Sequence, residues 1–159
     1  MYEVLDNFLQ EDEFNNIKNI IMGDNFPWYY NDAVGTKEDT SNFYFTHTFF
    51  KNLNPHSNYY ELLNPILQKL KIKALIRAKG NMYSKTEQLV EHGSHVDYDF
   101  EHKGAVFYVN TNNGFTVLDD GTKIKSVENR LLVFEPYKIH NSTNCTDKQI
   151  RVNINFNYF

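Results

Sequence analysis

His95-Val96-Asp97, within "EHGSHVDYDF", sets an imidazole and a carboxylate two residues apart among apolar and aromatic neighbours. On an extended strand successive side chains alternate faces, so His95 and Asp97 point the same way and can grip one ion together. Chance weakens the pair taken alone. Six histidines and ten aspartates in 159 residues give about 0.4 such spacings at random. A third ligand is available at His140, which ends the strand-like run "NRLLVFEPYKIH". Arg151 follows eleven residues later and opens "RVNINFNYF". If those two runs pair as a hairpin across the polar "NSTNCTDKQ", His140 and Arg151 sit together near one end of a sheet.

Two histidines and one carboxylate form the facial donor set that holds Fe(II) by three of six octahedral positions, leaving the rest for a co-substrate and oxygen. A keto acid such as 2-oxoglutarate chelates two of them. Its far carboxylate then needs a fixed, permanently charged, bidentate partner, and arginine fits that need better than lysine.

Other residues compete for these roles. His92 and His95 are three apart and face opposite ways on a strand, so His92, like His102, is expected to face solvent. Asp99 is likewise expected to face solvent, with the mouth of a substrate pocket as its alternative because it shares the face of Asp97. His47, in "YFTHTFF", is expected to be a hydrogen-bonded strand histidine. Arg151 has a structural alternative, an ion pair with Glu135 or Asp147, and Arg77 and Arg130 are rivals as anion anchor, Arg130 being better suited to tying down a turn. Trp28 is either a core anchor or a lid. Cys145, in a polar loop, has no visible base to activate it.

The elements that must position these groups follow from periodicity. Over 10–22, Phe14, Ile17, Ile20 and Ile21 recur at helical spacing behind an acidic first turn, with Gly23 just past the end. A second helix is expected over about 58–70, kinked or started late by Pro65. "FPWYYNDAVG" reads as irregular or edge structure and "SNFYFTHTFF" as a strand. From about residue 73 the texture becomes short β-branched and aromatic runs: 73–83, 95–99, 104–110, 115–119, 122–127, 131–135 and 150–158. Asn112-Asn113-Gly114 and Asp119-Asp120-Gly121 supply tight-turn chemistry. Many short strands after a helical N-terminal third indicate a sandwich, barrel or jelly roll.

Composition narrows the partners. The chain is long enough to bury a core as one domain. A lone cysteine excludes an internal disulfide and multi-cysteine metal sites, which points to a reducing compartment. No apolar run approaches the roughly eighteen residues of a membrane span, and the start has no signal-peptide pattern. A soluble, cytoplasmic protein, monomeric or weakly dimeric, is expected. A net charge of −4 without a basic stripe disfavours nucleic acid.

With these residues in place, the chain resembles the Fe(II)/2-oxoglutarate-dependent dioxygenases, in their prolyl-hydroxylase-like branch. H-x-D … H … R stands here as His95, Asp97, His140 and Arg151. "GAVFYVN" resembles the branch's strand in which a tyrosine, here Tyr108, bonds the 2-oxoglutarate tail. Tyr83, in "NMYS", is similar to an aromatic of the co-substrate pocket. Asn155 falls where the branch often has a small hydroxyl residue, and the resemblance implies a co-substrate-binding place for it. The N-terminal third resembles short members encoded by phages and marine microbes, which places the protein in an infected microbe.

The resemblance implies a mainly β, double-stranded β-helix (jelly roll, cupin-like) fold in one dioxygenase domain over 1–159. Residues 1–72 would give helical support packed on one sheet, and 73–159 the core with the site. It implies Fe(II), 2-oxoglutarate and O2 as cofactors and co-substrates, with ascorbate supportive. The implied reaction is hydroxylation of a C–H bond, first of a peptide or protein side chain, with succinate and CO2 released. The alternatives are a free amino acid, small molecule or nucleobase substrate, or a non-enzymatic jelly-roll module that binds a ligand.

Overall fold

A computed structural model describes residues 1–34 and 43–159. The end of "FPWYYNDAVG" and the first two residues of "SNFYFTHTFF" lie outside the described residues. In chain order the elements are β1 (Glu3–Leu5), α1 (Glu11–Ile21), β2 (Tyr29–Asn31), β3 (Tyr44–Lys51) and β4 (Asn54–Pro55). A 3-10 turn (Tyr60–Leu63) leads into α2 (Asn64–Lys69) and β5 (Leu75–Ser84). Then come β6 (Lys103–Tyr108), β7 (Phe115–Val117), β8 (Lys123–Lys125), β9 (Arg130–Phe134), β10 (Asn141–Ser142) and β11 (Ile150–Tyr158).

Helix α1 forms where expected. Its acidic first turn complements the helix dipole, Glu13 accepts a hydrogen bond from the Gln10 backbone N–H, and Phe14, Ile17 and Ile21 form the buried stripe. Pro65 sits in the first turn of α2, where its missing N–H costs nothing, so the second helix starts late and is not kinked.

The main sheet runs β1-β9-β6-β11-β5-β3-β2, with β4 hung on β3, and every pairing is antiparallel. A smaller sheet runs β10-β7-β8. Antiparallel bridges Glu91–Thr143 and His95–His140 add the 91–95 segment to its edge. This is the expected jelly-roll arrangement. The N-terminal third is more than helical support, because β1, β2 and β3 are themselves strands of the main sheet. Its "SNFYFTHTFF" run has the β-branched and aromatic content that suits a pleated, half-buried surface.

One face of the main sheet carries the helices. Val152, Ile154 and Phe156 of β11 and Ala78 of β5 join Phe14, Ile17 and Ile21 in a single apolar cluster, with the Phe14 ring edge-on to Phe107 at 6.1 Å. Trp28 belongs to this side. A Cβ on Gly80 would lie 3.2 Å from its ring, so Gly80 makes room for a core anchor and Trp28 is no lid. His47 lies on the same side, buried between the Pro27 carbonyl and the Ser57 hydroxyl at 2.7 Å each, as a strand histidine with both ring nitrogens satisfied. Among the described residues no helix is long and apolar enough to cross a membrane.

Candidate metal and co-substrate site

The opposite face of the main sheet is where chemistry collects. Along β11, Arg151, Asn153, Asn155 and Asn157 alternate with the core residues. They register with Tyr83, Asn81, Lys79 and Arg77 of β5. The two strands thus present matched polar rows toward the smaller sheet. Between the sheets lies a cavity of about 180 Å³, lined by the β5 row and by Asn153 and Asn155 of β11 together with His95, Asp97 and His140.

His95 and His140 meet through the backbone. Each N–H donates to the other's carbonyl, at 2.9 and 3.0 Å, which makes them an antiparallel cross-strand pair whose rings stand 4.6 Å apart. The expected hairpin between the runs ending at His140 and beginning at Arg151 does not form. Strands β9 and β11 both flank β6, and the chain crosses to the smaller sheet before His140. Nor is 95–99 a strand, since only His95 is bridged. A hydrogen bond from the Asp97 backbone N–H to the Pro136 carbonyl, 2.9 Å, turns that side chain back over the cavity. His95, Asp97 and His140 offer donor atoms all within 4.8 Å of one another, with His95 Nε2 3.9 Å from Asp97 Oδ1.

The surroundings suit a cation. Nδ1 of His140 faces the Lys138 carbonyl at 3.0 Å and Nδ1 of His95 faces the Gly93 carbonyl at 3.4 Å. A carbonyl only accepts, so Nδ1 carries the proton and the Nε2 lone pairs are left for a metal. Asp97 is held at both oxygens: Arg77 Nη2 donates to Oδ1 at 2.7 Å and Asn155 Nδ2 to Oδ2 at 3.2 Å. Burial raises its pKa, but the Arg77 guanidinium, then the two imidazoles and Lys79, outweigh this and hold it at about 2. The carboxylate is therefore ionised at neutral pH. Burial, followed by the adjacent Arg77, pushes the ammonium of Lys79 down to about 8. Three buried polar atoms have no hydrogen-bond partner among the described residues, Arg77 Nε, Asn81 Oδ1 and Asn141 Oδ1, and all three residues line this cavity. Orphaned polar atoms converging on one space mark it as built around something polar.

Arg151 is completely buried behind the wall formed by Thr116 and Tyr83. Its Nε donates to Ser126 Oγ at 2.8 Å, Nη1 to the Thr143 carbonyl at 3.0 Å and Nη2 to Thr116 Oγ1 at 3.4 Å. The Tyr83 and Tyr108 rings lie 5.3 and 5.9 Å from the guanidinium, and the Tyr108 hydroxyl donates to Thr116 at 2.9 Å. No carboxylate of the described residues lies in ion-pair range, so neither Glu135 nor Asp147 is its partner. Glu135 pairs instead with Lys138 at 2.9 Å, and Asp147 accepts from the Asn113 backbone N–H at 3.0 Å. Arg130 is taken by Asp6 at 2.6 Å.

Gly114 permits this placement, since a Cβ there would sit 2.5 Å from Arg151 Cδ and would also strike the Asn144 carbonyl. Gly114→Ala is expected to cost about 1–3 kcal/mol by overpacking, read by urea denaturation, and to weaken any ligand that Arg151 holds. Unchanged stability would mean that the Arg151 pocket yields.

Other expectations are corrected. His92 is buried, not solvent-facing. It stacks on Tyr83 at 5.0 Å and lies 3.0 Å from Ser142 Oγ. His102 is buried between the Phe100 carbonyl and Asn157 Oδ1, at 2.8 Å each. Asn157 donates to Asn155 at 2.9 Å, so a line of side-chain bonds runs from His102 to Asp97. Asn155, read as a co-substrate residue, has its amide on Asp97. Asp99 faces solvent as expected and is not part of the cavity lining. Lys79, Asn81 and Asn153, not singled out in the sequence, are cavity residues, and their signal was the alternation of polar side chains along two strands.

The chain has the double-stranded β-helix fold of the 2-oxoglutarate–Fe(II) oxygenases. A 2OG-Fe(II) oxygenase family protein from Burkholderia pseudomallei matches with a TM-score of 0.71 at 15% identity, covering 99% of this chain and 84% of that one. The viral collagen prolyl hydroxylase of Paramecium Bursaria Chlorella virus-1, solved with 2OG, matches at 0.65 and 16% identity, covering 98% and 94%. A prolyl hydroxylase from Trichoplax adhaerens, in complex with a hypoxia inducible factor peptide fragment, matches at 0.70 and 12%, covering 99% and 83%. No protein-family model and no curated protein matches the sequence.

Proposed function

We propose that the protein is an Fe(II)- and 2-oxoglutarate-dependent dioxygenase that hydroxylates a C–H bond of a peptide or protein side chain. The observation that carries this reading is Arg151, a fully buried guanidinium with no carboxylate partner among the described residues, one wall away from a His-Asp-His cluster. Burying an unpaired charge is expensive, and a dicarboxylate reaching from a metal to that arginine would relieve the cost.

In this reading His95, Asp97 and His140 hold Fe(II), and Arg151 with Tyr108 and Tyr83 holds the distal carboxylate of 2-oxoglutarate. When bound, iron and keto acid supply the oxidation: with O2, the keto acid becomes succinate and CO2 while the substrate C–H becomes C–OH. The chain's part is orientation and exclusion of water. Backbone carbonyls fix both imidazoles, Arg77 and Asn155 aim the Asp97 carboxylate, and the His92–Tyr83 stack closes the co-substrate end. The Trichoplax neighbour, solved with a peptide, supports a peptide substrate, and the lone cysteine is compatible with a reducing compartment that keeps iron ferrous.

The test is 2-oxoglutarate consumption with Fe(II), O2 and ascorbate, read as succinate. Measurable uncoupled turnover is expected, rising when a peptide pool contains the substrate, with an oxygen-dependent gain of one oxygen atom in a product. Background turnover with no Fe(II) binding would favour a non-enzymatic ligand-binding module.

A further inference from the structure

We propose that the substrate presents a carboxylate to Lys79 and Arg77, which form an anion-binding subsite on the β5 wall of the cavity. The inference rests on the proposed oxygenase reading for where metal and co-substrate sit.

Lys79 and Arg77 occupy successive inward positions of β5, and both line the cavity. Lys79 Nζ has a single hydrogen bond, to the Tyr44 hydroxyl at 3.3 Å, and lies 5.4 Å over that ring. No carboxylate of the described residues is within ion-pair range of it. Arg77 has its Nη2 on Asp97, while its buried Nε donates to nothing among the described residues. A guanidinium N–H without an acceptor among the described residues, on a side chain that lines the cavity beside a half-buried ammonium, calls for an oxyanion.

Charge accounting sharpens this. A ferrous ion and a dianionic keto acid cancel. Among the described residues the remaining lining charge is one carboxylate, Asp97, against Arg77 and Lys79, with Arg151 buried deeper. With the co-substrate's tail on Arg151, the surplus positive charge sits on the β5 wall next to the metal ligands. An uncharged aliphatic substrate would leave Lys79 with no carboxylate among the described residues, and Arg77 sharing Asp97 with the metal, in a confined space. Lysine commonly avoids such a cost by extending its head into water. Here the head rests on Tyr44 inside the cavity lining.

Size selects the kind of anion. At about 180 Å³, shared with the co-substrate, the cavity admits a group of side-chain size, and a chain of net charge −4 does not attract a polyanion. A carboxylate fits, either the side chain of an acidic residue in a peptide or the terminal carboxylate of a small acid.

The experiment uses protein loaded with Zn(II) and 2-oxoglutarate, which binds without turning over. Three probes are titrated by NMR chemical shift: N-acetylaspartate N-methylamide, N-acetylalanine, and N-acetylasparagine N-methylamide, which has no carboxylate. At least one carboxylate probe should bind on the order of tenfold or more tighter than the asparagine amide, shifting resonances of Arg77 and Lys79. Preference for the aspartate side chain indicates an acidic peptide residue, and preference for N-acetylalanine a small acid. Lys79→Met, an unbranched replacement that fills similar space, should reduce the acid-over-amide ratio to within about twofold. Lys79→Arg should retain it.

If 2-oxoglutarate binds but all three probes bind equally, the subsite is overturned and the oxygenase reading survives. If neither metal nor 2-oxoglutarate binds, that reading fails, and the probes are compared in metal-free protein. Equal binding there overturns the subsite as well.

Discussion

Replacing His140 with alanine should weaken Fe(II) binding on the order of a hundredfold or more and abolish 2-oxoglutarate turnover. Loss of a group that only supports a metal ligand already costs about 10–100-fold, and His140 is itself a proposed ligand. Unfolding is the competing explanation, and the contacts argue against it. The side chain gives up a bond to the Lys138 carbonyl and an edge contact with Phe134 at 5.0 Å, a loss of about 1–2 kcal/mol. The backbone pairing with His95 needs no side chain and remains. His47→Ala is the matched control, a histidine that is equally buried and better hydrogen-bonded but stands on the helix side of the sheet. It should lose comparable stability by thermal unfolding and retain Fe(II) affinity by anaerobic equilibrium dialysis. Equal loss of affinity in both variants would mean that fold integrity was being measured and not ligation.

Sequence periodicity was informative where contacts are local. Helix α1 follows from Phe14, Ile17 and Ile21, and β5, β6, β9 and β11 from alternation and β-branched content. Long-range pairing was not legible. Nothing in "EHGSHVDYDF" says that His95 will pair with His140 and not lie on a strand of its own. The expected His140–Arg151 hairpin assumed that neighbours in sequence are neighbours in a sheet. In a jelly roll the chain passes between two sheets, so β9 and β11 are separated by β6 and His140 belongs to the smaller sheet. The members of the His-Asp-His cluster were identifiable through the family resemblance, and the route by which they meet was not.

The cavity left a subtler trace. A central strand of a covered sheet is ordinarily apolar on both faces, and β11 and β5 lie in the middle of the main sheet. Yet Arg151, Asn153, Asn155 and Asn157, like Arg77, Lys79, Asn81 and Tyr83, put polar groups on every second position. Alternation of that kind reads as one face in water when the strand is assumed to be at an edge. In the centre of a sheet it signals an enclosed polar space. The placement that turns one reading into the other comes from β6 and β3, which pair on either side.

Arg151→Gln separates the anchor from the metal. A bidentate guanidinium–carboxylate contact contributes roughly 1.5–3 kcal/mol per charged hydrogen bond. Its loss should raise the 2-oxoglutarate concentration required for half-maximal turnover by about two orders of magnitude or more. Fe(II) affinity should stay within a few-fold, because Arg151 touches none of the three donors. Stability gives an independent reading. In the ligand-free protein the guanidinium is buried with its charge uncompensated, and burial pushes its pKa below the usual value, so removing the charge should leave the melting temperature little changed or raised. Wild-type protein with Zn(II) and 2-oxoglutarate at a hundred times its dissociation constant gains about 2.7 kcal/mol, and the variant at the same concentration should gain almost nothing. A structural arginine predicts the reverse: a large loss of stability without ligand and a ligand response that persists. A buried charge retained at a cost to the empty protein is what a site for an anionic co-substrate requires, and the sign of the Arg151→Gln effect on the empty protein decides between the two.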